Sequence, residues 1–220
     1  MSALGPVTVR FVRHGESVAN VERVFSHRIH DEPLTELGRR QADVVAAYLS
    51  SVVERPALVV SSPLRRAIET AAPVASALEA EMLVEEGFRE VDVGDLDGTT
   101  GQASWDAHDR VFQAWIDGDA DARMPGGETG RELAARVEGA LLRSLRAAGG
   151  RSLVVVAHGG TLFQGVRSLL PGVVTDADTA WVGNASVTEL SLGIEDDRLT
   201  GHLIAWASDG HLVEADVDPA

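Results

Sequence analysis

Short apolar runs alternate along this chain with longer segments in which apolar residues recur at helical spacing. The runs 7–12, 58–60 and 153–157 are rich in valine and have the length of buried strands. Further strands are predicted at 82–84, 187–192 and 199–206, with a turn at 195–197 joining the last two. Strands that alternate with helices form mostly parallel sheets covered on both faces. We therefore predict an α/β fold, a three-layer α/β/α sandwich, with the last two strands antiparallel at one edge.

The segments between the strands carry recognisable helix signals. Thr35 and Thr129 are suited to N-cap positions, and Glu132 completes a capping-box pattern with Thr129. The apolar spacing predicts helices over 37–52, 64–78, 133–145 and 161–170. The stretch 94–127 is rich in glycine and aspartate and gives no comparable signal. We expect it to form a lid or insertion within one domain that spans the whole chain.

Composition limits the classes of function. The formal net charge of −15 argues against binding to nucleic acid or to anionic membranes, so neither is expected as a partner. No apolar run approaches the roughly 20 residues that cross a bilayer, and no secretory signal precedes the first strand. Because the chain has no cysteine, disulfides and thiolate nucleophiles are excluded. A cytoplasmic location is the expectation.

Two histidines follow two of the predicted strands directly. His14 comes after the first strand, and His158 comes after the strand at 153–157. Ligands of open α/β sheets bind beyond the carboxyl ends of the strands, so the fold could bring these histidines together. Arg13 supplies a permanent positive charge suited to phosphate, and Gly15 allows close approach of the backbone to an anion. A nucleophilic imidazole beside a guanidinium provides two of the requirements for phosphoryl transfer.

Two further segments supply the remaining requirements. The run 61–67 places Arg66 where a strand passes into a helix. Gly159 and Gly160 follow His158 at the start of another predicted helix, where free N–H groups favour anions. Glu90 precedes a glycine at position 94 and offers a carboxyl group that could protonate a leaving oxygen.

Taken in this order, the segments resemble the histidine phosphatase superfamily, also called the phosphoglycerate-mutase-like family. The matching residues are Arg13-His14-Gly15-Glu16-Ser17 with Asn20, Leu34-Thr35-Glu36-Leu37-Gly38 with Gln41-Ala42, Ser61-Ser62-Pro63-Leu64 with Arg66-Ala67 and Thr70-Ala71, Glu90 with Gly94 and Gly98, Pro125-Gly126-Gly127-Glu128-Thr129, and His158-Gly159-Gly160. The resemblance runs from residue 7 to about residue 165. It implies the phosphoglycerate-mutase-like fold and a phosphatase that acts on a small phosphorylated metabolite.

The resemblance also implies a role for each matching position. His14 would be the nucleophile that becomes phosphorylated, and Glu90 would give a proton to the leaving oxygen and later take one from water. The residues implied to bind the phosphoryl group are Arg13, Asn20, Arg66, His158 and Gly159. No metal or cofactor is implied, because histidine and arginine cations would hold the anion. A homodimer is kept as a hypothesis, since the sequence does not define the oligomeric state.

Three alternative functions stay open at this point. A cofactor-dependent phosphoglycerate mutase would use the same phosphohistidine. Mutases of this family usually carry a longer insertion after the acid-bearing motif, whereas here about 30 residues separate Gly94 from Pro125. A non-catalytic phospho-ligand-binding module would need the arginines but neither His14 nor Glu90. A metallohydrolase would use histidine and acidic ligands, but no His-Glu-x-x-His spacing is present.

The remaining polar candidates receive simpler interpretations. His27 and His30 are expected near the entrance of the site because they follow His14 closely in sequence. His108, like the two histidines at 202 and 211, is interpreted as a surface or structural residue. Glu128 is interpreted as an acidic residue favoured near a helix N-terminus.

Overall fold

A computed structural model describes residues 4–169 and 182–218, and within these ranges six strands form one mixed sheet. The strands are β1 (Leu4–Arg13), β2 (Ala57–Ser61), β3 (Glu81–Val84), β4 (Ser152–Ala157), β5 (Val187–Glu195) and β6 (Arg198–Ser208). Their order is β3-β2-β4-β1-β5-β6. The first four in this order are parallel, whereas β5 is antiparallel to β1 and β6 is antiparallel to β5. The predicted α/β fold and the antiparallel edge are both confirmed.

Helices occupy most of the segments between the strands. They are α1 (Val18–Glu22), α2 (Glu36–Val52), α3 (Arg65–Leu78), α4 (Gln102–Ile116), α5 (Gly130–Ala148), α6 (Arg167–Leu169) and α7 (Gly210–Glu214), with 3-10 turns at Glu86–Phe88 and Gly94–Leu96 and a π-helical stretch at Thr161–Val166. The helix predicted over 161–170 thus combines two helical types, and its last position lies outside the described residues. None of the helices in the described ranges is long and apolar enough to cross a membrane.

Both faces of the sheet are covered, and this explains the continuous apolar runs of the central strands. Phe11 and Val155 pack with residues of α5 on one face. Val12 and Val156, their neighbours in sequence, pack with residues of α2 and α3 on the other face. Because successive side chains of a strand point to opposite faces, each central strand contributes to two cores.

The predicted caps of the two long helices are present. Thr35 accepts a hydrogen bond from the amide of Gly38 at 2.9 Å and starts α2. Thr129 and Glu132 form the expected reciprocal capping box at the start of α5. These caps fix where each helix begins, and the amide of Thr35 also donates to the carbonyl of Glu16 at 2.9 Å, which ties the start of α2 to the segment that carries His14.

Helix α4 was missed by the sequence interpretation and is longer than the other unpredicted helices, α1 and α7. It lies inside the stretch 94–127, which was expected to be a lid of uncertain structure. Its N-cap position is Gly101, with φ of 93° and no side-chain hydrogen bond, so the usual start signal is absent. The signal that could have found it is the spacing of Trp105, His108, Phe112 and Trp115, which places four rings on one helix face.

Candidate active site

The pairing of β1 with β4 brings the two predicted histidines together. Arg13 lies opposite Ala157 in the parallel register, and the amide of His14 donates to the carbonyl of Ala157 at 3.0 Å. His158 follows β4 directly, and its ring centroid lies 5.1 Å from that of His14. Both side chains are buried. Only 2% of the surface of His14 and none of the surface of His158 is exposed to solvent. The sheet therefore builds one histidine pair from segments far apart in the chain.

Hydrogen bonds define which nitrogen of His14 can act as a nucleophile. Nδ1 lies 2.7 Å from the carbonyl oxygen of Gly15, which can only accept, so Nδ1 carries the proton. Nε2 accepts a hydrogen bond from Nε of Arg66 at 3.1 Å. The free lone pair of the His14 ring is therefore on Nε2 and faces the guanidinium of Arg66. An anion bound by Arg66 would lie next to this lone pair.

Burial keeps both histidines neutral. The pKa of His14 is lowered well below its ordinary value of 6.5 by burial first, and then by the charges of Arg66 and Arg13. The pKa of His158 is lowered in the same direction by burial and by Arg66. An imidazole must be unprotonated to attack phosphorus, so this environment holds His14 in the reactive form at neutral pH.

The lowered pKa values also predict how stability depends on pH. Below about pH 6.5 the unfolded chain takes up protons at His14 and His158 that the folded chain does not, so the free energy of unfolding falls as pH falls. Between about pH 7 and pH 5.5 we expect a loss of up to about 1.4 kcal/mol per pH unit for each ring. In urea unfolding of His158→Asn, the pH dependence of the free energy of unfolding should be smaller by the uptake of about one proton, whereas the control Gln102→Asn, which replaces an exposed side chain that does not titrate, should keep the native dependence. Equal slopes in all three proteins would contradict this expectation.

Two buried guanidiniums supply positive charge beside the pair of histidines. Arg66 donates from Nη1 to Oγ of Ser26 at 3.1 Å and from Nη2 to the carbonyl of Ser26 at 2.9 Å. Arg13 donates from Nη1 to the carbonyl of Val182 at 2.7 Å. Burial lowers the pKa of Arg13 to about 10, so the group stays charged at neutral pH. Two guanidiniums beside two neutral imidazoles concentrate positive charge at this end of the site, which favours an anionic ligand.

His158 is positioned by a serine of the segment that precedes α3. Its Nε2 lies 2.6 Å from Oγ of Ser62, which also accepts a hydrogen bond from the amide of Leu64. The hydroxyl of Ser62 can donate its proton to Nε2, and in that tautomer the ring proton of His158 is on Nδ1. Within the described ranges Nδ1 is buried and has no hydrogen-bond partner. An N–H of this kind is suited to donate to an oxygen of a bound anion.

The carboxylate of Glu90 is held by backbone amides of its own loop and of the segment after β4. Oε1 accepts from the amides of Val91 at 2.8 Å and Thr161 at 2.9 Å. Oε2 accepts from the amide of Gly160 at 3.1 Å. Glu90 and Gly160 both line the cavity that contains His14. These contacts fix the carboxylate in place while leaving Oε2 with lone pairs for proton transfer.

Arg136 of α5 supports the backbone of the loop that carries Glu90, and sequence reasoning missed it. Its guanidinium donates to the carbonyls of Gly87, Arg89 and Glu90 at 2.9, 2.8 and 3.0 Å. It also pairs with Glu128 at 2.7 Å. Glu128 therefore anchors this arginine, which corrects its interpretation as simple helix-terminus chemistry. No motif marks Arg136, because its partners are backbone carbonyls more than 40 residues away.

Asn20 presents one end of its amide to the site. Its Oδ1 accepts a hydrogen bond from the amide of Ser17 at 3.0 Å, and this contact is part of the capping box of α1. The same oxygen accepts a hydrogen bond from Nδ2 of Asn184 at 3.3 Å. With the oxygen engaged, Nδ2 of Asn20 is the end available to a ligand. Asn184 also donates to the carbonyl of His14 at 2.9 Å and so ties the segment before β5 to the nucleophile.

One cavity of about 670 Å³, including its open mouth, joins these groups. The predicted site residues that line it are Arg13, His14, Asn20, Arg66, Glu90 and Gly159. His158 packs against His14 without forming part of the cavity wall. His108, interpreted as a surface or structural residue, packs against Phe25 and Phe112 and also lines the cavity. His27 instead holds the loop of Glu90, since its Nδ1 lies 3.0 Å from the Glu90 carbonyl.

Known proteins resemble this chain in sequence and in fold. A family model described as histidine phosphatase superfamily (branch 1) matches residues 9–204. Over 192 residues the chain is 31% identical to a Hydrogenobacter thermophilus protein with the provisional name phosphoserine phosphatase 2, covering 86% of this chain and 91% of that protein. A mycobacterial glucosyl-3-phosphoglycerate phosphatase, solved with VO3, has a TM-score of 0.75 at 31% identity and covers 92% of this chain and 100% of that one. A Bacillus anthracis phosphoglycerate mutase has a TM-score of 0.78 at 21% identity, covers 97% and 98%, and supports the fold alone. The chain belongs to the histidine phosphatase superfamily, branch 1.

Proposed function

We propose that the chain is a metal-independent phosphomonoester hydrolase that acts through a phosphohistidine at Nε2 of His14. The observation that carries the proposal is the neutral, buried imidazole of His14, whose unprotonated Nε2 faces the guanidinium of Arg66. The carboxylate of Glu90 lines the same cavity. Nucleophile, cationic anion site and proton donor thus meet at one place, as phosphoryl transfer requires.

In the first step, the phosphoryl group of the substrate binds next to Nε2 of His14 and replaces the hydrogen bond that this nitrogen accepts from Nε of Arg66. Arg66 and Arg13 then donate to the phosphoryl oxygens, and so does the Nδ1–H of His158, whose ring adjoins that of His14 and is reached by a group that binds next to Nε2. Nε2 of His14 forms a bond to phosphorus as the bond to the ester oxygen breaks. Glu90, which enters this step as the neutral carboxylic acid, gives its proton to that oxygen, so the leaving group departs as an alcohol and Glu90 becomes the carboxylate.

In the second step, the carboxylate of Glu90 accepts a proton from a water molecule. The water oxygen attacks phosphorus, the phosphorus–nitrogen bond breaks, and inorganic phosphate leaves while His14 regains its lone pair. The Gly15 carbonyl, which holds the Nδ1 proton, can stabilise the positive ring of the intermediate. Each group returns to its starting protonation state, so the cycle needs no other reactant than water.

The family match and the phosphatase relatives identify the chain as a phosphatase enzyme. Their printed names refer to phosphoserine and to glucosyl-3-phosphoglycerate, which supports a small phosphorylated metabolite as substrate. A phosphoglycerate mutase is the second candidate, because the fold is shared with a mutase. That residues 94–127 act as a lid stays a prediction.

A panel of phosphomonoesters assayed with and without a chelator tests the proposal. We expect release of inorganic phosphate at a rate that the chelator does not change, because the described site uses histidine and arginine groups. Incubation with 3-phosphoglycerate and a bisphosphorylated primer should give hydrolysis without isomerisation. Loss of activity in the chelator with recovery on adding a divalent ion would overturn metal independence, and efficient isomerisation would establish the mutase.

A further inference from the structure

We propose that the physiological substrate has an apolar leaving group of about the size of an aromatic ring. The inference rests on the proposed function and concerns the part of the cavity that lies beyond the phosphoryl site. Four rings line this part: Phe25, Trp105, His108 and Phe112, which together are called the aromatic wall. Three of them come from one face of α4, and Phe25 comes from the loop after α1.

The rings of the aromatic wall pack against one another as a continuous surface. The centroids of Phe25 and Trp105 are 4.3 Å apart, and those of Phe25 and His108 are 5.1 Å apart. His108 and Phe112 are stacked at 4.6 Å with an interplanar angle of 24°. Side chains that support each other in this way lose little freedom when a ligand binds, so the apolar surface is preformed.

The charges in the cavity are concentrated at the phosphoryl end. Within the described part of the chain, the arginines that line it are Arg13 and Arg66, both beside His14. Valines at positions 24, 91 and 93 line the same cavity and add to its apolar surface. Arg23 is exposed and lies over the ring of Trp105 at 5.2 Å, outside this lining. A carboxylate or several hydroxyls on the leaving group would therefore meet a surface made mostly of apolar rings and valines, in which His108 supplies a polar ring.

This surface distinguishes between substrates by two effects. An apolar leaving group gains by leaving water, by about 25 cal/mol for each Å² that is buried. A polyhydroxylated or carboxylated leaving group would lose its hydrogen bonds to water without gaining partners. A preference of at least about tenfold in kcat/KM is expected from such a pocket.

Two esters of primary alcohols, 2-phenylethyl phosphate and glycerol 3-phosphate, test the inference. Both leaving groups are primary alcohols with similar reactivity. The two esters therefore differ mainly in how the cavity binds the alcohol part of the substrate. We expect kcat/KM to be at least about tenfold higher for 2-phenylethyl phosphate, and higher than for phosphoserine and 3-phosphoglycerate as well. If none of the four esters is hydrolysed, the proposed function fails. If glycerol 3-phosphate or an acidic ester is preferred while turnover is normal, only the present inference fails.

Variants of Trp105 locate the preference in the aromatic wall. Trp105→Ala should lower kcat/KM for 2-phenylethyl phosphate by about tenfold and change that for glycerol 3-phosphate by less than about threefold. Trp105→Phe keeps an aromatic ring and should restore most of the preference. Arg23→Gln should leave hydrolysis of 2-phenylethyl phosphate unchanged. The inference would be overturned if Trp105→Ala lowered kcat/KM equally for both esters. It would also be overturned if the native chain preferred phosphoserine or 3-phosphoglycerate and Arg23→Gln removed that preference.

Discussion

Replacing His14 with alanine is expected to lower kcat by more than about a thousandfold for every phosphomonoester tested. The reason is that the bond to phosphorus is formed by Nε2, and no described neighbour can take its place. Arg66 is a cation and cannot attack phosphorus. The Nε2 atom of His158 is hydrogen-bonded to Ser62 and is therefore not free to act as a nucleophile. The Michaelis constant is expected to change far less than kcat, because the phosphoryl group is still bound by the guanidiniums. Steady-state hydrolysis of one alkyl and one aryl phosphate measures both quantities.

Because His14 is buried, its replacement needs controls for folding. His14→Asn keeps much of the ring volume and should lose turnover to the same extent as His14→Ala. His202→Ala removes an exposed histidine from β6 and should retain native activity. Circular dichroism and binding of inorganic phosphate establish that the inactive variants are folded. A folded His14→Ala protein that keeps more than about a tenth of native kcat would refute the role of this residue.

Replacing Glu90 with glutamine is expected to reduce turnover in a way that depends on the leaving group. For an alkyl phosphate such as 2-phenylethyl phosphate, kcat/KM should fall by about 10²- to 10⁴-fold, because the alkoxide cannot leave without a proton. For p-nitrophenyl phosphate the fall in kcat/KM should be much smaller, because p-nitrophenolate leaves without protonation. The amide can still accept at Oε1 from Val91 and Thr161, so the loop is expected to keep its position.

A matched control is Glu86→Gln, which changes an exposed acid of the same loop. It should leave both kcat/KM values near those of the native chain. If Glu90→Gln lowers kcat/KM equally for the alkyl and the aryl ester, the carboxyl group binds or positions the substrate without transferring a proton. Such a result would move the proton-donor role to another residue.

The strand pattern explains why much of the site was predictable. Parallel strands end at one edge of a sheet, so a histidine placed directly after each of two paired strands is brought to the same point. The register that sets Arg13 opposite Ala157 then places His14 beside His158. The cap at Thr35 was equally legible, because a hydroxyl before an apolar helical pattern satisfies a free backbone amide.

The elements that were missed depend on contacts without a local signature. Helix α4 has a glycine at its N-cap position, which offers no capping side chain. The spacing of its aromatic rings was therefore the one sequence signal for this helix. Arg136 binds backbone carbonyls of a distant loop, and Asn184 binds the carbonyl of His14 across the fold. Backbone carbonyls have no side-chain identity in the sequence, so such partners emerge only from the tertiary structure.

The most direct test is to trap the phosphorylated enzyme. Native protein and Glu90→Gln are mixed with a ³²P-labelled aryl phosphate, quenched in alkaline detergent and digested for peptide mapping. We predict a label that is stable in alkali, lost in acid and confined to the peptide that contains His14, with more label in Glu90→Gln because attack by water is slowed. Turnover without any labelled protein, or a label on a peptide that lacks His14, would contradict the account.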